Sequence, residues 1–189
     1  MRNSAAAHKL LLLGMLGVPL ARAEAHGSSA AAYGVSAAQV IAPLAVSREA
    51  DLDFGTIFGT AAPGSVTISA QGTASYSGGA QPACAGAACT RPHAAAFAVR
   101  GEPDRSYVVS LPAFVIAAGT SLNPAGDTPP DLIVSALFVR TASRMTSGAS
   151  GRLDRTGADR FTIGGRLDVP SGLHASYYRA TVTVSINYI

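Results

Sequence analysis

Hydrophobic and polar residues alternate with a period of two along much of this chain. Val40, Ala42, Leu44 and Val46 alternate with Ile41, Pro43, Ala45 and Ser47. Ser65–Ser69 (SVTIS) alternates cleanly, as do Phe97–Arg100 and Ser106–Leu111. Near the end, Val182, Val184, Ile186 and Tyr188 alternate with Thr181, Thr183, Ser185 and Asn187. That period places one face of each segment in a core and the other in water, which is the pattern of half-buried strands. Turn formers separate the runs: Ala62-Pro63-Gly64, Ser77-Gly78-Gly79, Gly101-Glu102-Pro103-Asp104, Asn123-Pro124-Ala125-Gly126 and Thr156-Gly157-Ala158-Asp159. Apolar spacing of three and four is scarce, so long helices are not expected.

Many short strands with such punctuation predict an all-β chain, built as an antiparallel β-sandwich with one shared core. One domain over residues 35–189 is expected, since no linker divides it. The echo of Gly151-Arg152-Leu153-Asp154 in Gly165-Arg166-Leu167-Asp168 reads as two related strands near a hairpin, not as a repeat architecture. Gly164-Gly165 precedes a strand rather than a helix, so it offers no phosphate cradle and is expected to permit a tight turn.

The first residues change how composition is read. Arg2, His8 and Lys9 form a basic start, Leu10–Val18 is a short apolar run, and Ala21-Arg22-Ala23 is a small-x-small site. Residues 1–23 therefore read as a secretory signal cleaved after Ala23, and residues 24–34 as a flexible lead. The formal charge of +3 resides in that leader, because without Arg2, Lys9 and Arg22 basic and acidic residues balance. The charge argument for nucleic acid disappears with it. The exported part has no Lys, which excludes a phosphate-loop or Schiff-base lysine. Its longest strong apolar run, Asp131–Val139 (DLIVSALFV), is too short to span a bilayer as a helix, so no membrane span is expected after cleavage.

Candidate chemistry is sparse. Cys84 and Cys89 lie in an exported segment, so a small-loop disulfide is expected. A metal site would need a further ligand beside Cys84, Cys89 and His93. His26, His93 and His174 accompany no nucleophile elbow and no H-E-x-x-H. Asp51 with Asp53, and Asp154 with Asp159, lack the dense acidic loop that calcium takes, and read as turn and strand-edge residues. No catalytic residue, cofactor or metal is expected.

Three segments in order carry a family resemblance. They are Ala38–Leu44 with Ala50–Ile57, Phe97–Pro103 with Tyr107–Pro112, and Gly164–Pro170 with Thr181–Tyr188. Together they resemble the bacterial secreted domain of unknown function 4402, itself similar to pilin-like, adhesin-like subunits of the spore-coat-U type. The resemblance implies an immunoglobulin-like sandwich at the periplasm or surface of a Gram-negative bacterium, and no catalytic residues. A Gly-x-Tyr-x-Gly stretch usual in the family is Ala175-Ser176-Tyr177-Tyr178-Arg179 here, so the bend into the last strand is expected to differ.

The expected function is a non-catalytic structural or adhesive subunit that assembles by β-strand pairing. Its partners would be copies of itself or related surface subunits, with a periplasmic chaperone. Tyr188 and Ile186 would anchor the C-terminal strand with Val182 and Val184, and Val40, Leu44 and Val46 would supply the facing row. The segment from Glu24 to about Ser47 is long enough to be donated to another copy, or to form the domain's own first strand. The alternative is a monomeric exported module that binds a ligand or glycan through loops at one end.

Overall fold

The computed structural model describes residues 33–58, 61–83, 91–123, 128–144 and 148–189. The expected signal, the start of the N-terminal lead and the Cys84–Cys89 pair lie outside the described residues. Two units are distinguished, Met1–Gln39 and Val40–Ile189. Residues 33–39 of the first form no strand and are exposed. In the second, the described residues form strands and no helix, and no helix is long and apolar enough to cross a membrane.

In chain order the strands are β1 (Ala45–Ala50), β2 (Ile57–Phe58), β3 (Gly64–Ile68), β4 (Ala74–Gly78), β5 (Gln81–Pro82) and β6 (Ala95–Arg100). They continue as β7 (Ser106–Ser110), β8 (Phe114–Ser121), β9 (Leu132–Thr141), β10 (Ser150–Arg152), β11 (Ala158–Val169), β12 (Ser176–Arg179) and β13 (Ser185–Tyr188). All pairings between them are antiparallel. One curled eight-stranded sheet runs β1-β6-β11-β9-β8-β12, with β3 and β4 joining beside β11. A three-stranded sheet, β10-β7-β13, and the small pair β2-β5 complete the fold.

The long strand β11 organises the large sheet. Along one edge its first half pairs with β6 and its second half with β3. Along the other edge it pairs with β9. The change of partner falls at Gly164-Gly165. These glycines therefore lie inside a strand and not at the expected turn. A Cβ on Gly164 would collide with the Ile68 carbonyl oxygen and the Phe138 ring. The glycine is needed because backbone and an aromatic ring both close on that spot.

β9 carries the other irregularity. Its pairing with β11 shifts between Gly164 and Arg166, where Phe138 and Ser135 are the partners. The extra residue is accommodated at Ala136, whose φ of 47° is left-handed. Such a bulge reverses which side chains face inward. Leu132 and Val134 are buried before it, Val139 and Thr141 after it. The run DLIVSALFV thus feeds two different clusters.

Those clusters are separate. Core 1 gathers Val66, Ile68, Ala80, Ala117, Leu132, Val134, Leu167 and Val169. Core 2 gathers Ala95, Val99, Tyr107, Val109, Val139, Leu153, Phe161 and Ile163. Leu52 and Leu137 pack against both. Phe97 and Phe161 stack in core 2 at 5.0 Å.

Three expectations change. Val40–Val46 does not form one strand: β1 starts at Ala45, because Pro43 has no N–H for a ladder. The C-terminal strand is confined to Ser185–Tyr188. The two Gly-Arg-Leu-Asp segments flank a hairpin turn but enter different sheets, β10 against β7 and β11 in the large sheet.

Candidate assembly site

The C-terminal strand lies at the margin of core 2. β13 pairs with β7 in the register Ile186↔Val109 and Tyr188↔Tyr107, and is the last strand of its sheet. The Ile189 N–H donates to the Ser106 carbonyl at 3.1 Å, while the Val109 N–H turns to Ala149 on the β10 side at 2.8 Å. In an antiparallel ladder bonded and non-bonded pairs alternate. Ser185 and Asn187 therefore spend their backbone groups on β7, and those of Ile186 and Tyr188 point outward along an edge. No strand pairs with that edge among the described residues.

The side chains of the same residues face the core. Val184, Ile186 and Tyr188 are half-buried against core 2. The expected alternation is thus present, with Val182 also half-buried. From the large sheet, β1 contributes the other margin. Val46 lies opposite Val99 and Arg48 opposite Phe97, so both share the core-facing side of β6. Val99 is fully buried, yet Val46 remains 40% exposed. Leu44 packs on core 2, and Val40 is 95% exposed and outside any strand. The structure therefore brings Leu44 to the same core as Val184, Ile186 and Tyr188, sets Val46 at its exposed margin opposite Val99, and leaves Val40 apart.

One end of this margin is tied by side chains. The Tyr188 hydroxyl donates to the Ala42 carbonyl at 2.8 Å and accepts from the Glu102 N–H at 2.6 Å. The Glu102 carboxylate in turn accepts from the Ala42 N–H at 2.9 Å. Ala42 thus has both backbone groups satisfied without belonging to a ladder. Tyr188 and Leu44 converge on Gly101, where a Cβ would strike the Tyr188 hydroxyl. Periodicity identified Tyr188, but not its partners: Glu102 reads in sequence only as part of a turn.

β7, which carries β13, is fixed from beneath. The Tyr107 hydroxyl donates to Asp159 Oδ2 at 2.9 Å, and Ser143 Oγ reaches the same oxygen at 2.5 Å. Ser143 Oγ also accepts from the Arg152 N–H at 2.9 Å. Gly151 leaves room for the Tyr107 ring. Burial, then the Asp159 charge and hydrogen bond, push the Tyr107 hydroxyl well above its ordinary pKa. Asp154 closes the following turn: Oδ1 accepts from the Thr156 N–H and hydroxyl, both at 2.7 Å, and from the Ala158 N–H at 3.0 Å. Those bonds hold its carboxyl below the usual range.

The other candidates are occupied locally. Asp53 Oδ1 accepts from the Gly55 N–H at 2.7 Å, and Asp51 pairs with Arg48 at 2.8 Å. His93 exchanges backbone bonds with Asp53 at 2.9 Å. Among the described residues no group of three His, Cys, Asp or Glu is placed to hold a metal ion.

The two edges differ in protection. Charged residues and irregularities discourage edge-to-edge pairing. β1 has Arg48, Glu49 and a register shift between Arg48 and Ala50. β13 has Ser-Ile-Asn-Tyr, with no charge and no proline. The arrangement offers an incoming strand four backbone groups from Ile186 and Tyr188, beside an apolar margin.

A family model described as Domain of unknown function (DUF4402) matches residues 44–188. No curated protein matches the chain, and no solved structure does.

Proposed function

The chain belongs to the DUF4402 family, and from that premise we propose that it is a non-catalytic exported subunit assembling by β-strand pairing. Its β-domain is read as an immunoglobulin-like sandwich of the pilin or adhesin kind, made by core 2 between the large sheet and β10-β7-β13. The setting is the periplasm or surface of a Gram-negative cell. The partners are further copies or related subunits, delivered by a periplasmic chaperone.

The observation that carries this reading is the uncharged outer edge of β13. There, outward backbone groups and half-buried side chains belong to the same two residues, Ile186 and Tyr188. Strand addition uses both at once: main-chain bonds supply affinity and alternate side chains supply specificity.

Two proline variants test it. Ile186→Pro removes an outward N–H and spares the ladder to β7, whereas Asn187→Pro breaks that ladder. Ile186→Pro is expected to abolish concentration-dependent growth into oligomers larger than a dimer, seen by sedimentation velocity, with the circular dichroism spectrum retained. Asn187→Pro is expected to lose folded structure as well. Growth of Ile186→Pro beyond a dimer at wild-type concentrations would overturn the reading.

A further inference from the structure

The rule of one apolar and one polar face fails in one region. In β8, Val115 and Ala117 face core 1, so Phe114 and Ile116 point away from it; they are 54% and 57% exposed. In β9, Leu132 and Val134 face core 1, and Ile133 points outward at 50% exposed. Ile116 and Ile133 are directly opposite partners, with Phe114 one row along opposite Ser135. On β12, Tyr178 packs on core 1 and Tyr177 points outward at 52% exposed, opposite Thr120. Four large side chains therefore lie on the outer side of three adjacent strands. At roughly half exposure each contributes on the order of 100 Å². Together they expose on the order of 400 Å², an apolar centre of about half the ~800 Å² per partner of a stable interface. A patch of this kind marks an interaction surface.

The charges on the same face indicate what covers it. Arg179 projects outward from β12, opposite Ala118 of β8. Its guanidinium lies 5.0 Å from the Tyr177 ring centre, and no carboxylate pairs with it among the described residues. Asp131 immediately precedes Leu132, on the β9 side of Ala118, and is exposed. It too has no ion pair among the described residues. A lone cation and a lone anion thus flank β8 on opposite sides, at the level of a small residue.

We infer that this outer face of β12-β8-β9 is a homodimer interface, formed by a second copy of the chain around a two-fold axis parallel to β8. Such an axis, lying between two stacked sheet faces, exchanges left and right. It sets Arg179 of each copy over Asp131 of the other, and Ile116 over Ile116. A two-fold contact must be self-complementary, and this face carries both signs and the apolar centre that this requires. The contact closes on itself as a dimer, unlike edge pairing, and it is independent of the β13 edge.

Sedimentation equilibrium on the full chain and its variants tests the inference. With edge pairing removed by Ile186→Pro, the chain is expected to dimerise, Ile116→Asp to be monomeric, and Asp131→Arg or Arg179→Asp each to weaken dimerisation at least about tenfold. The double variant Asp131→Arg/Arg179→Asp is expected to return to within about threefold of wild type. That rescue separates a contact between copies from a fault in folding. Ile186→Pro is expected to leave the dimer intact. A folded Ile186→Pro chain monomeric at 100 µM, on the order of a weak complex, would overturn the inference. So would a dimer indifferent to Ile116→Asp, or a monomer whose binding to phosphatidylglycerol vesicles depends on Ile116.

Discussion

Core 1 and core 2 are of similar size and share two strands, β9 and β11, yet they are completed differently. Core 1 is walled by strands of one sheet that curls around it: β3, β8, β9 and β11 all contribute buried residues. Core 2 needs a second sheet, and that sheet ends in the last residues of the chain. Its margin is held by hydroxyl and carboxylate bonds to Ala42 instead of by a ladder. A sheet that curls on itself needs few extra devices. A core covered by a separate small sheet retains an edge, and that edge is where side-chain ties and half-buried apolar residues gather.

The comparison predicts its own breaking points. Deleting the stacked ring with Phe161→Ala should destabilise by about 3–5 kcal/mol, and Ile68→Ala in core 1 by about 2–5 kcal/mol. Leu52 and Leu137 touch both cores, so urea melts of either variant should show one transition. Two resolved transitions would mean that the cores unfold separately. Next comes Gly164→Ala, where a methyl meets the Ile68 carbonyl and the Phe138 ring. A loss of about 2–3 kcal/mol is expected, and a loss under 0.5 kcal/mol would show that the strand junction yields.

A smaller effect is specific to core 2. Tyr107→Phe removes the hydroxyl beside Asp159 and should cost about 1–2 kcal/mol at neutral pH. The folded state holds the Tyr107 proton more tightly than the unfolded chain, whose ordinary value is 10.0. The stability linked to that proton is complete below pH 10 and is lost as pH rises further. Alkaline melts of the wild type should therefore fall more steeply above pH 10 than those of Tyr107→Phe; identical slopes would remove Tyr107 from the account. The smallest effect has the opposite sign. Ala136→Gly relieves a left-handed backbone at the bulge and should stabilise by about 0.5–1 kcal/mol. A destabilisation would mean that the methyl is part of the packing.

Strand by strand, legibility follows pairing. β3, β6 and β7 were readable because each keeps one parity from end to end, as Val66 and Ile68 or Tyr107 and Val109 do. β9 was readable as an apolar run but not as a switch between cores. A bulge is decided by the partner strand, and nothing local at Ser135-Ala136 announces it. Val40–Leu44 alternates well yet forms no ladder, since alternation does not register that Pro43 lacks a donor. At the candidate site the apolar row Val184, Ile186 and Tyr188 was legible, whereas Glu102 and Asp159 were not. They act through contacts 86 and 52 residues distant along the chain. The outward Phe114, Ile116 and Ile133 ran against the expected polar face, since the alternation there is between two apolar sets.

The bond between Tyr188 and Ala42 joins positions 146 residues apart. A ribosome releases Ala42 well before Tyr188. Core 1 takes its buried residues from strands ending at Val169, ahead of the strand that core 2 needs. Core 2 must wait for β13, with Val46 and its neighbours uncovered for the whole interval. Long-range closure of this kind is slow, and the waiting surface is exposed to capture by other chains. The time at which this fold is most open to a companion is thus set by where along the polypeptide its final staple is encoded.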